Sequence, residues 1–177
     1  MEYIDMIKNI SLIIPSQNAE TKLLQLLRYI PSWEAIPNEI IIVDSSQKKF
    51  LIPEDFELLV KKLDIKLLVL YGKNLYPGHA RNIGINNSTN SLLAFLDTST
   101  HPNEKWLSSG LDLMHTNNSQ GVWGSTYYQA DYYLPQIIRA CTFGARPIKT
   151  FPGSILGKNV FDRCGLFIES TRAGEDG

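Results

Sequence analysis

The sequence predicts an α/β fold, a mostly parallel central sheet with helices on both faces. Three observations carry that expectation. Four short apolar runs, SLIIP (11–15), EIIIVDSS (39–46), IKLLVLYG (65–72) and SLLAFLDTS (91–99), have strand length, and none alternates cleanly with polar residues. Uninterrupted runs of this kind are how strands buried on both faces read. Segments of helical period separate the runs, and strands alternating with helices at this spacing form parallel sheets joined by crossovers.

The elements follow in order. After the first run, Leu23, Leu26, Leu27 and Ile30 keep the i, i+3, i+4, i+7 spacing of a helix face, which Pro31 ends. The second run is rich in β-branched residues and suits a strand. Phe56, Leu59, Val60 and Leu63 repeat the helical spacing, and Pro53 sits where a first turn tolerates it. GHARNIGINNS is a shorter, more polar helix candidate. Beyond the fourth run, PNEKWLSSGLDLMH reads as a helix with Asn103 as its cap and Leu107, Leu111 and Met114 on one face. QGVWGSTYYQ looks like a further strand, with Tyr127, Tyr128, Tyr132 and Tyr133 crowding the next turn. The remainder, to Gly177, reads as loop-rich, with Pro147, Pro152, Gly153 and Gly157.

With 177 residues and 20.0 kDa, the chain suits one domain with a real core. The net charge of -1 removes any bulk pull toward nucleic acid or anionic membrane, so phosphate binding must come from local charge placement. The two cysteines, Cys141 and Cys164, form no metal-binding pattern and read as reduced thiols of a cytoplasmic protein. MEYIDMIKNI carries acidic residues and no long apolar core, unlike a signal peptide. No run approaches the roughly 20 apolar residues of a membrane span. Peripheral membrane association and oligomeric state stay open.

In open parallel sheets, ligands bind beyond the carboxyl ends of the strands. Strand one delivers Pro15, Ser16, Gln17, Asn18 and Glu20 there, strand two Asp44, Ser45 and Ser46, and strand four Asp97, Thr98, Ser99 and Thr100. Strand three leads to His79, Arg81 and Asn82, of which His79 reads as a turn residue. Asp44 and Asp97 each have a plainer reading as helix caps, and Arg81 as a surface ion pair. Two carboxylates and a guanidinium on one rim favour a site. There is no G-x-G-x-x-G, G-x-x-x-x-G-K-[ST] or G-x-S-x-G, which argues against a dinucleotide turn, a P-loop and a hydrolase elbow.

At this point the chain resembles the family 2 glycosyltransferases. SLIIPSQNAE is similar to that family's opening I-P-x-x-N strand, and EIIIVDSSQ to its V-D-D-G-S strand. GHARNIGINNSTNSLLAFLDTST resembles its A-R-N-x-G segment running into D-x-D, and FPGSILGKNVFDRCGLFIESTRAGED its late G-G-F-x-E block leading to a Glu-Asp pair. The resemblance implies a Rossmann-like GT-A fold over residues 1–177, read as one domain cut off just after that pair. It implies an inverting enzyme that moves a sugar from a nucleoside-diphosphate sugar, UDP-linked by preference, to an acceptor hydroxyl in polysaccharide or glycoconjugate assembly. Pro15, Asn18 and Glu20 would line the nucleotide pocket, Asp44 would contact the base, and Arg81 and Asn82 would shape the pocket. Asp97 would stand near the ribose or a Mg²⁺ or Mn²⁺ ion, and Asp176 would be the general base. Lys158 and Arg172 are further candidates to meet the diphosphate, with surface solvation as their plainer reading. Ser99 stands where the family usually has the second carboxylate of D-x-D, so metal affinity should be weakened. The rival reading is a non-catalytic domain of the same fold that binds a nucleotide or a partner chain. A nucleotidyltransferase would want a glycine-rich basic loop after strand one, which is absent.

Overall fold

Parallel pairing begins with the first apolar run. In a computed structural model of the chain, which describes residues 9–127, 137 and 148–171, Ile10–Ser16 forms β1 with only Pro15 less than fully buried. There follow α1 (Glu20–Tyr29), β2 (Glu39–Asp44), α2 (Glu54–Lys62), β3 (Lys66–Tyr71), α3 (Pro77–Asn87), β4 (Leu92–Phe95), α4 (Trp106–Thr116), β5 (Gly121–Thr126), β6 (Ile148–Gly157) and the short α5 (Asn159–Cys164). The strands form one six-stranded sheet in the order β3-β2-β1-β4-β6-β5. β1 pairs parallel with β2 and β4, and β2 with β3, whereas β6 pairs antiparallel with β4 and β5.

The period of two in a strand sorts the core into two clusters. Ile10, Leu12 and Ile14 of β1, with Ile40 and Ile42 of β2, meet Leu23, Leu26 and Leu27 of α1, Phe56 and Val60 of α2, and Leu107, Leu111 and Met114 of α4. Ile13, Ile41, Val43, Leu93 and Phe95 point the other way, against Ala80 and Ile85 of α3 and Phe151 of β6. Helices therefore cover both faces, which is why the strands read as unbroken apolar runs. Each such buried side chain contributes about 1.5–3 kcal/mol. A Cβ placed on Gly84 would lie 2.5 Å from Cγ2 of Ile13. The glycine thus lets α3, which carries Arg81 and Asn82, lie directly on β1.

Two expectations are corrected. The loop-rich remainder contains β6, ten residues long and placed between β4 and β5. Its Pro152 and Gly153 mark an irregularity, since pairing with β5 shifts register between Val122 and Gly124. Asn103 is not the cap of α4, whose cap position is Lys105; its Oδ1 instead accepts the Lys105 N–H at 2.9 Å, one turn upstream. Tyr128, Tyr132, Tyr133, Cys141, Arg172 and Asp176 lie outside the described residues. Among the described residues, no helix is long and apolar enough to cross a membrane.

At the amino end of β2, Glu39 is 1% exposed. Burial alone would raise its pKa, but bonds from Lys66 Nζ (2.8 Å), the Ser11 hydroxyl, and the backbone and hydroxyl of Thr89 (2.9 Å each) leave it lowered from 4.5. A carboxylate with a lowered folded pKa stabilises the fold above its unfolded pKa and loses that contribution as pH falls through the folded value. Glu39→Gln is expected to cost about 1–3 kcal/mol at neutral pH. It should also flatten the loss of stability on acidification below 4.5, as read by denaturant unfolding at several pH values.

Candidate functional site

The sheet opens where β1 and β4 part. Their pairing stops at Ile13 and Phe95, whereas β1 and β2 stay paired to Ser16 and Asp44. Pro15, at the parting, has no N–H to extend a ladder. β1 leads on through α1 to β2 on one side while β4 lies on the other, so the opening is a topological switch point. A cleft of about 630 Å³ lies there, lined by Ser16 to Lys22 after β1, by Ser46, Lys48 and Phe50 after β2, and by Thr98 and Ser99 after β4.

Two loops of the cleft are tied to each other. Asn18 adopts a left-handed backbone (φ 50°), which asparagine tolerates better than most residues. Its N–H donates to Ser46 Oγ at 2.7 Å, and its Oδ1 accepts the Gln47 N–H at 3.3 Å. Asp44 is 1% exposed and faces into its own loop. Its Oδ1 accepts from the Ser46 hydroxyl at 2.6 Å and its Oδ2 from the Phe50 N–H at 3.0 Å. The carboxylate thus fixes Ser46 and Phe50, which reach the cleft, while Asp44 itself is absent from the lining.

On the other side, Arg81 Nη2 donates to Asp97 Oδ1 at 2.9 Å, with the arginine side chain 4% and the aspartate 38% exposed. The guanidinium carbon sits 5.3 Å from the Phe151 ring centre and 5.8 Å from that of Phe167, so aromatic faces share in holding the cation. Asn82 is 2% exposed and turns its carboxamide to the late segment. Nδ2 donates to the Phe167 carbonyl at 2.9 Å and to Glu169 Oε1 at 3.0 Å, and Oδ1 accepts the Phe167 N–H at 2.9 Å. His79, on α3 rather than in a turn, places Nε2 3.7 Å from Glu169 Oε2.

Of the residues expected to bind a nucleotide, Asn18 and Glu20 line the cleft, as does Ser99. Pro15, Asp44, Arg81, Asn82 and Asp97 are not part of the lining, although Ser16, Ser46 and Thr98, close in sequence to Pro15, Asp44 and Asp97, are. Lys158 is at the far end of the sheet, its Nζ donating to the Ser88 carbonyl at 2.7 Å and its N–H bonded to Ser91 of the β4 approach. Among the described residues that line the cleft, Lys22 and Lys48 are the basic ones. The expected set omits them, although each follows a strand end by a few positions, which is the signal that would have found them. Among the described residues no group of three His, Cys, Asp or Glu side chains could hold a metal. Asp97 brings one carboxylate, with one oxygen taken by Arg81, and Ser99 only a hydroxyl. That donor set fits a divalent ion only as a minor share of its shell, beside phosphate oxygens.

A family model described as Glycosyl transferase family 2 matches residues 11–167. An uncharacterized glycosyltransferase of Rickettsia bellii is 26% identical over 94% of this chain and 25% of its own length. One from Rickettsia felis is 26% identical over 94% of this chain and 29% of its own length. The chain thus spans between a quarter and a third of the curated relatives it matches. Among solved structures, S. aureus TarS 1-349 in complex with UDP superposes with a TM-score of 0.68 at 18% identity, covering 95% of this chain and 52% of that one. The mannosyltransferase PcManGT from Pyrobaculum calidifontis, in complex with GDP-Man and Mn²⁺, gives 0.61 at 14% identity, covering 94% and 49%. The mostly parallel sheet with helices on both faces is the Rossmann-like GT-A architecture of these neighbours.

Proposed function

Because the chain belongs to glycosyl transferase family 2, we propose that it transfers a sugar from a nucleoside-diphosphate sugar to an acceptor hydroxyl with inversion. The observation that carries this reading is the switch-point cleft, bordered by Lys22, Lys48 and the hydroxyls of Ser16, Ser46, Thr98 and Ser99. UDP is the favoured nucleotide, the product a polysaccharide or glycoconjugate, and residues 1–177 act as one domain. TarS was solved with UDP and UDP-GlcNAc, and PcManGT with GDP-Man, which supports a nucleotide sugar as donor.

In the proposed reaction the acceptor oxygen forms a bond to the anomeric carbon as the bond from that carbon to the diphosphate breaks. Asp176 takes the acceptor proton. Lys22 and Lys48 meet the negative charge that builds on the leaving diphosphate. Asn18 and Glu20 border the nucleotide, Pro15 leaves its strand edge open to it, and Asp44 holds Ser46 and Phe50 toward the base. Arg81 orients Asp97 toward the ribose. A Mg²⁺ or Mn²⁺ ion held by Asp97 and the phosphates would supply further neutralisation of the leaving group.

The second reading, a non-catalytic nucleotide-binding domain, is favoured by Ser99 and by the arginine already engaged with Asp97. Titration calorimetry with UDP and GDP, with and without Mn²⁺, tests both. Binding of either nucleotide with a dissociation constant below about 1 mM is expected. No binding at that level removes the transferase reading; binding without release of nucleotide from any UDP- or GDP-sugar leaves the second one.

A further inference from the structure

Adjacent residues of α3 hold two different parts of the molecule. Arg81 holds Asp97, at the end of β4. Asn82 holds Phe167, and its one carboxamide engages both the N–H and the carbonyl of that residue, as a neighbouring strand would. The ring of Phe167 is at the same time enclosed by Phe151 (4.8 Å between centres), Phe161 (5.6 Å) and Phe95 (6.3 Å). The remaining donor of Asn82 reaches Glu169, whose side chain is 52% exposed and whose other oxygen faces His79. With its carboxamide filled in this way and itself 2% exposed, Asn82 has no group to offer the cleft.

We infer that Asn82 is a positioning residue that fixes segment 165–169 against α3, acting through Phe167 and Glu169, and that it makes no contact with the nucleotide. The consequence for turnover rests on the transferase reading. On that reading α3 divides its work, with Arg81 serving the nucleotide side and Asn82 a carboxylate-bearing segment on the other.

The test uses the full chain with Asn82→Ala. UDP affinity by calorimetry is expected to stay within about twofold of the parent. Hydrogen-exchange protection of the Phe167 amide should be lost while the amides of β1 and β2 keep theirs. Release of nucleoside diphosphate from a panel of UDP- and GDP-sugars should fall about tenfold, as misplacement of a segment near the chemistry costs rate rather than affinity. If alanine prevents folding, Asn82→Leu serves. It keeps the size but offers neither the acceptor for the Phe167 N–H nor the donors for the Phe167 carbonyl and Glu169, so the same three results are expected. A parallel loss of UDP affinity, or unchanged protection at Phe167, overturns the inference. A parent protein that releases no nucleotide instead removes the transferase reading, and the exchange result still decides the role of Asn82.

Discussion

Asp97→Ala is expected to lower folding stability by about 2–4 kcal/mol, because it removes the carboxylate oxygen to which the buried Arg81 Nη2 donates at 2.9 Å. The arginine side chain is only 4% exposed, so water replaces the lost partner poorly, and the faces of Phe151 and Phe167 compensate only in part. For a domain of this size the melting temperature should drop by about 5–15 °C. Nucleotide affinity should fall by about 100-fold at the same time, since Asp97 brings a carboxylate at the end of β4, next to the lining residues Thr98 and Ser99. The two losses separate in a double variant. Adding Arg81→Met removes the guanidinium that Asp97 faces and places a flexible apolar chain against the two phenylalanines, so stability should recover in part. Affinity should not recover. Thermal unfolding and calorimetry on the single and double variants measure both. Full recovery of UDP binding in the double variant would mean that Asp97 serves only to neutralise Arg81.

Ser99→Asp should move the protein in the opposite direction, but only with metal. A second carboxylate beside Thr98 on the cleft wall supplies the charged oxygen that a hard cation lacks here. UDP affinity in Mn²⁺ should rise by about 30–100-fold over the same variant without metal. Without metal the added negative charge should weaken UDP binding relative to the parent, by repulsion from the diphosphate. The parent should show a metal effect of less than about tenfold. Titrations of UDP into both proteins with Mn²⁺ or a chelator give all four values, and a parent that already gains 100-fold from Mn²⁺ would show that the hydroxyl is no handicap.

Both predictions depend on partners that the sequence leaves unassigned. The four parallel strands were legible because a strand covered on both faces must be apolar throughout, as in ISLIIPS and EIIIVD. α1 and α4 were legible because Leu23, Leu26 and Leu27, and Leu107, Leu111 and Met114, keep the helical period against the sheet. β6 was not, since Pro152 and Gly153 interrupt it and its antiparallel place between β4 and β5 is set by residues far away in the chain. The cleft residues Asn18, Glu20 and Ser99 could be listed from their positions at strand ends. The partner of each buried polar group could not. Asp44 turned to Phe50 and Asn82 to Phe167, and the second of these contacts spans 85 positions. Local spacing says where a side chain leaves the backbone, not which distant group completes its hydrogen bonds.

The position of β6 also sets an order of assembly during synthesis. β1 to β4 emerge from the ribosome in sequence and can pair as they appear, in register from Ile10 with Leu92 and from Ser11 with Glu39. β5 follows, and among the described residues it pairs with β6 alone. Until residues 148–157 have been made, β4 is an open edge and β5 a loose end. An exposed edge next to an unpaired strand is where nascent chains associate wrongly. The strand that completes the sheet is therefore also the one whose late arrival determines how long the young chain is vulnerable.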